Sequence, residues 1–220
     1  MRSSTSSLVT ALCAGVALLV SAGSAGAQAW HYPALQPPTI SSREFNFAVA
    51  GGGSYGTTGV AQWREGVGPD THLAFDLGFA SPSGTTYFLL GAGVGQRLMR
   101  ASENTPIDVI LTGGLYGAFS SDFSVVRLPI GVSVGHRFPL QGGMALTPYA
   151  APRLSIDVCA SSCNGTGTDL NVNFDMGLDW EINRMLSMRG ALTVGGVSDG
   201  PSKTGFGFSL AFRPQAVGGR

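Results

Sequence analysis

From Val126 to Phe138 every bulky apolar side chain shares one parity: Val126, Leu128, Ile130, Val132, Val134 and Phe138. Arg127, Ser133, Gly135 and Arg137 take the other. A period of two is the mark of a β-strand, whose successive side chains point to opposite faces. The split recurs downstream. Leu146, Pro148, Ala150, Leu154 and Ile156 oppose Thr147, Tyr149, Arg153, Ser155 and Asp157. Leu170, Val172, Phe174, Met176, Leu178 and Trp180 oppose Asn171, Asn173, Asp175, Asp179 and Glu181. One face therefore carries nearly every strand charge. The other is apolar over roughly ten residues, about the length of a bilayer-crossing strand. His136 breaks the rule, near the end of its strand.

Alternating segments begin at Glu44, and turn chemistry separates them: GPD at 68–70, SPSG at 81–84, SENTP at 102–106, SSD at 120–122, QGG at 141–143 and SDGPS at 198–202. The segment around Gly59 to Val67 is the least marked. After residue 27 nothing shows a helical period. The pattern predicts an all-β protein, an antiparallel up-and-down barrel of about ten strands, with eight the alternative if the first two are miscounted.

A soluble lipocalin-like binding barrel would alternate in the same way, so three further features decide. Charged residues make up 12% of the chain, about half the ~25% usual for soluble domains. Lys203 is the single lysine, whereas a water-facing exterior uses lysine freely. Aromatics gather at strand ends, Phe45, Phe138, Trp180 and Phe212 toward one rim and Phe79 and Phe119 toward the other, as interfacial girdles do. These features favour a transmembrane barrel. The balance of 13 basic and 13 acidic residues excludes electrostatic nucleic-acid binding.

Residues 1–27 read as a signal peptide: Arg2, the apolar run Leu8–Val20, then Ala25-Gly26-Ala27 as a cleavage site. The apolar run is too short to span a membrane comfortably as a helix. Residues 28–43 read as a Pro/Ser-rich N-terminal linker, 44–213 as the barrel and 214–220 as a tail. Export leaves Cys159 and Cys163, and an oxidising compartment makes a disulfide their expected state. It would close a loop tip, the longest connection, on the extracellular side if both chain ends are periplasmic.

The leader, the sixth-to-eighth strand pattern with Thr147-Pro148-Tyr149, and the ending Phe206-x-Phe208-x-Leu210-x-Phe212 together resemble the small bacterial outer-membrane β-barrel proteins, the OmpA/OmpX-like and OmpW-like group. The resemblance spans residues 44–213. It implies a home in the bacterial outer membrane among its lipids. It also implies that Phe206, Phe208, Leu210 and Phe212 form the assembly signal read by the barrel assembly machinery. The chain departs from that pattern in continuing from Arg213 to Arg220.

Candidate chemistry is sparse. Gly51-Gly52-Gly53-Ser54-Tyr55-Gly56 matches G-x-G-x-x-G, but a dinucleotide site needs a helix next, and another strand follows. Gly91, Gly93 and Gly95 share the inward face and are expected to make room for Tyr116 or arginine side chains. His72 and Asp76 share a face but lie ~13 Å apart along a strand, too far for a catalytic pair. No metal or cofactor motif appears. The polar face supplies the expected site, a lumen network of Asp76, Asp108, Arg127, Arg153, Asp175, Asp179 and Arg189, giving a salt-bridged, mostly plugged interior. The functional expectation is a non-enzymatic structural or surface-interaction barrel. A small passive channel for small solutes or hydrophobic compounds is the alternative.

Overall fold

In the computed structural model the described residues are 34–52, 56–81, 85–121, 124–161, 167–195 and 203–214. Ten strands form the wall: β1 Arg43–Gly51, β2 Thr57–Gly66, β3 Thr71–Ser81, β4 Tyr87–Met99, β5 Asp108–Phe119, β6 Ser124–Gly135, β7 Ala145–Ser161, β8 Thr168–Glu181, β9 Leu186–Gly195 and β10 Lys203–Phe212. A two-residue bridge, Phe138–Pro139, pairs with the start of β7. Each strand pairs antiparallel with the next. β10 then returns to β1 with Phe212 opposite Phe45 and Leu210 opposite Phe47. The sheet is closed, so no edge is left unpaired.

Side-chain parity sorts inside from outside all the way round. Phe47, Leu170 and Phe208 stand 62%, 65% and 61% exposed on the exterior. Their sequence neighbours Asn46, Asn171 and Ser209 are buried in the lumen. Aromatics ring both rims. Near the chain ends Phe45 stacks on Trp63 at 6.4 Å between ring centroids, and Trp63 meets Phe75 at 5.5 Å. Phe79 and Phe88 meet edge to face at the other rim, beside Phe119.

Two expectations change. β7 and β8 zip together as far as Val158 opposite Thr168. The connection between them is residues 162–167, shorter than 136–144 between β6 and β7. The longest connection therefore lies at the end where β1 begins and β10 finishes. Cys159 is at the tip of β7, its N–H donating to the Gly167 carbonyl at 2.8 Å; Cys163 lies outside the described residues, as do residues 1–33. The second change concerns the stretch read as a linker. From Ala34 it runs inside the barrel, with Leu35 fully buried, and reaches β1 through Ser42, whose carbonyl accepts from Gly66 N–H at 2.8 Å.

Candidate functional site

The lumen near the chain ends is built on Glu44, the second residue of β1. Its carboxylate accepts from Arg64 Nη1 at 2.8 Å, from Arg189 Nη1 and Nη2 at 2.7 Å each, and from Arg213 Nε at 2.9 Å. Asp179 accepts from Arg189 Nε at 3.0 Å and Arg213 Nη2 at 3.3 Å. The cluster joins β8, β9, the residue after β10, β1 and β2 in one network. Arginine suits such a place because its planar fork binds two acceptors while staying charged. At the rim Arg137 pairs with Glu181 at 2.7 Å.

The N-terminal segment threads this network. Tyr149 OH donates to the Ala34 carbonyl at 3.0 Å. Arg64 Nη2 and Arg189 Nη1 both reach the Leu35 carbonyl, at 3.1 and 3.3 Å. Ser133 Oγ donates to the Gln36 carbonyl at 2.9 Å, and the Gln36 amide meets His72 Nε2 at 2.9 Å. Three consecutive carbonyls are thus held by side chains of the wall. Pro37 and Pro38 follow, residues without an N–H that the lumen would have to satisfy.

Further along the bore Arg127 pairs with Asp157, its Nε at 2.6 Å from Oδ1, and Asn171 also donates to that carboxylate at 3.0 Å. Arg153 pairs with Asp175 at 2.6 Å. Asp76 accepts from Gln62 at 3.0 Å, and Gln62 accepts from Asn46 at 2.6 Å. Of the residues expected in the lumen network, Arg127, Arg153, Asp175, Asp179, Arg189 and Asp76 are buried there. Asp108 is not: as the first residue of β5 it accepts the Ala101 N–H at 3.1 Å, closing a rim turn. Glu44, Arg64, Asp157 and Arg213 complete the pairs.

The geometry of the pairs changes what plugs the barrel. Arg64 lies opposite Glu44 in register, Arg127 opposite Asp157, and Arg189 opposite Asp179. These three pairs join strand neighbours, and Arg189–Glu44 and Arg213–Asp179 each step over a single strand, so the ion pairs follow the wall. Ten strands ~4.8 Å apart and tilted ~40° give a backbone diameter of ~20 Å, against ~16 Å for eight. Side chains just fill the eight-stranded interior, so the wider bore leaves room for one extra chain. Residues 34–38 occupy it, with Leu35, Pro37 and Pro38 buried, and 39–42 lead out to the rim.

Small residues on the inner face shape the rest. A side chain at Gly91 would run into the Tyr116 ring, one at Gly93 into the Tyr116 hydroxyl, and one at Gly95 into the His72 ring. The glycine row therefore makes room for Tyr116, as expected, and also for His72. A cavity of about 60 Å³ remains between the segment and the wall, bordered by Gln62, His72, Asp76, Tyr116 and Arg153. Among the described residues no group of three His, Cys, Asp or Glu could hold a metal. His72 bonds Gln36 rather than Asp76.

A closed barrel with an apolar exterior, aromatic girdles and a charged lumen is a transmembrane β-barrel of the bacterial outer-membrane type. No family model and no curated protein matches the chain. Among solved structures, a bacterial polysaccharide outer membrane secretin superposes with a TM-score of 0.48 at 11% identity, over 76% of this chain and 58% of the other. The KdgM porin gives 0.42 at 7% identity, over 78% and 99%. The β domain of the Bordetella autotransporter Brka gives 0.44 at 11%, over 78% and 97%. Such loose superpositions carry no functional argument; the class rests on the geometry above.

Proposed function

We propose that this chain is a closed, non-enzymatic barrel of the outer membrane with a structural or surface-interaction role. The observation that supports this most is the row of carbonyls at Ala34, Leu35 and Gln36, held by Tyr149, Arg64, Arg189 and Ser133 across the lumen. A bore filled by its own chain presents no route for solutes. The outer-membrane lipid is its solvent, and the barrel assembly machinery is its folding partner, reading Phe206, Phe208, Leu210 and Phe212 on the exterior of β10. A disulfide between Cys159 and Cys163 would stiffen the turn between β7 and β8.

The test is fractionation with heat-modifiable gel mobility, followed by planar-bilayer recording of the purified full chain. The expected result is an outer-membrane, heat-modifiable protein that is electrically silent in potassium chloride. A soluble, heat-insensitive product or steady unitary currents would overturn the reading.

A further inference from the structure

The contacts that hold residues 34–42 are unlike those that hold the wall. The segment, Ala-Leu-Gln-Pro-Pro-Thr-Ile-Ser-Ser, carries no charge. Its bonds to the lumen fall mainly on backbone carbonyls, which any peptide offers. Leu35, Pro37 and Pro38 are buried, and the Gln36 amide bonds His72. Its prolines bring no N–H groups that a lumen rich in donors would leave unmet.

The wall is also built to survive the segment's departure. Arg64 would lose the Leu35 carbonyl and keep Glu44. Arg189 would lose the same carbonyl and keep both Glu44 and Asp179. Tyr149 and Ser133 would each lose one neutral acceptor that water can replace. No buried charge is orphaned, so emptying the bore avoids the large penalty of an unpaired buried ion. What remains is a bore wider than its own side chains fill, with ion pairs along its wall.

We propose that the lumen near the chain ends is a binding site for an extended, uncharged peptide. Residues 34–42 are its resident and exchangeable ligand, and the barrel passes water and small ions when that ligand leaves. The proposal rests on the membrane-barrel reading above and adds a conducting state to it. Arg64, Arg127, Arg153 and Arg189 face Glu44, Asp76, Asp157, Asp175 and Asp179 in the emptied bore, so its preference between anions and cations is weak.

The experiment is single-channel recording in potassium chloride of the full chain beside a variant lacking residues 30–41, both first shown to be heat-modifiable. The variant is expected to give unitary current steps where the full chain is silent. A synthetic peptide of residues 30–42 should block those steps in a dose-dependent way, and the same peptide carrying Leu35→Asp should not. Should the deletion fail to fold, the full-length double variant Tyr149→Phe, Ser133→Ala removes two of the donors. Each lost bond should raise the frequency of brief openings roughly fivefold. A folded deletion variant that stays silent, or a double variant with no added openings, overturns the proposal. So does a conducting deletion variant that the peptide cannot block. Steady currents from the full chain overturn the closed-barrel reading instead, a separate result.

Discussion

Replacing Glu44 by glutamine tests the physical core of the structure, because it keeps the shape and removes the charge. Glu44 Oε1 accepts from Arg64 and Arg189, and Oε2 accepts from Arg189 and Arg213. A glutamine can keep one oxygen where Oε1 lies. Its amide then points two N–H donors at Arg189 and Arg213, which are donors themselves. Two charge-assisted bonds are lost, at about 1.5–3 kcal/mol each. That range agrees with the roughly 3–5 kcal/mol expected on breaking a buried ion pair. Arg213 retains Asp179 and is partly exposed to water, so the lower end applies, about 3 kcal/mol, or two orders of magnitude in the unfolding equilibrium. Urea unfolding in lipid vesicles would measure it, with Trp63 and Trp180 on the lipid-facing surface as fluorescent reporters. Glu65→Gln is the control. Glu65 makes an equally short pair with Arg43 on the exposed rim, where solvent screens the interaction, and that variant should unfold like the parent. Equal midpoints and slopes for the two variants would refute the claim that the Glu44 cluster is a buried, indispensable junction.

The other predictions concern different parts of the wall. Gly91→Ala, placed against the Tyr116 ring, should cost about 1–3 kcal/mol through overpacking, whereas Gly59→Ala, with nothing within 4 Å, should be neutral in the same urea titration. Ile130→Arg places a charge at mid-height of the lipid-facing surface and should cost about 2–4 kcal/mol, read as a fall in the folded, heat-modifiable fraction; an unchanged fraction would argue against lipid on that face. Asp70, in the turn after β2, bonds Arg100 and Arg97, and these guanidiniums hold its carboxyl below the usual carboxylate range. Its small contribution to stability is therefore present above the unfolded carboxyl's ordinary pKa and fades as pH falls through the lowered folded value. A carboxyl resonance titrating like that of a free peptide aspartate would contradict the pairing.

Most of the wall was legible in the amino-acid sequence because lipid and lumen impose opposite demands on alternate residues. β6 to β8 show this cleanly, since Arg127, Arg153, Asp175 and Asp179 each sit between bulky apolar neighbours. The signal blurs at the rims. Arg43 and Glu44 are adjacent charges on opposite faces, one paired outside with Glu65 and one buried inside, so the single-face rule misses Glu44 and Arg64. Asp108 has lumen parity but stands at a strand start, where a turn N–H takes its carboxylate. The filling of the bore was not legible at all. Residues 34–42 have no periodicity, because their main anchors are carbonyls, and every residue type has one. The glycine row was readable only in part: Tyr116, opposite Gly91 with its hydroxyl over Gly93, could be anticipated, while the bond between His72 and Gln36 depends on a fold-back that no local pattern announces.

The residue that follows the last strand has a consequence for the order of events in folding. Arg213 reaches Glu44 across 169 positions of chain, and its N–H is held by the Met185 carbonyl at 2.7 Å. Glu44 belongs to the first strand to be made and Arg213 follows the last, so this latch can snap shut only when the two ends of the sheet meet. The Arg64–Glu44 pair between β1 and β2 can form as soon as that first hairpin does, whereas the Arg213–Glu44 pair waits for every strand to be in place. Arg213 is thus the clasp of the seam, fastened last, and its bonds to Glu44 and Asp179 report that the ring has closed.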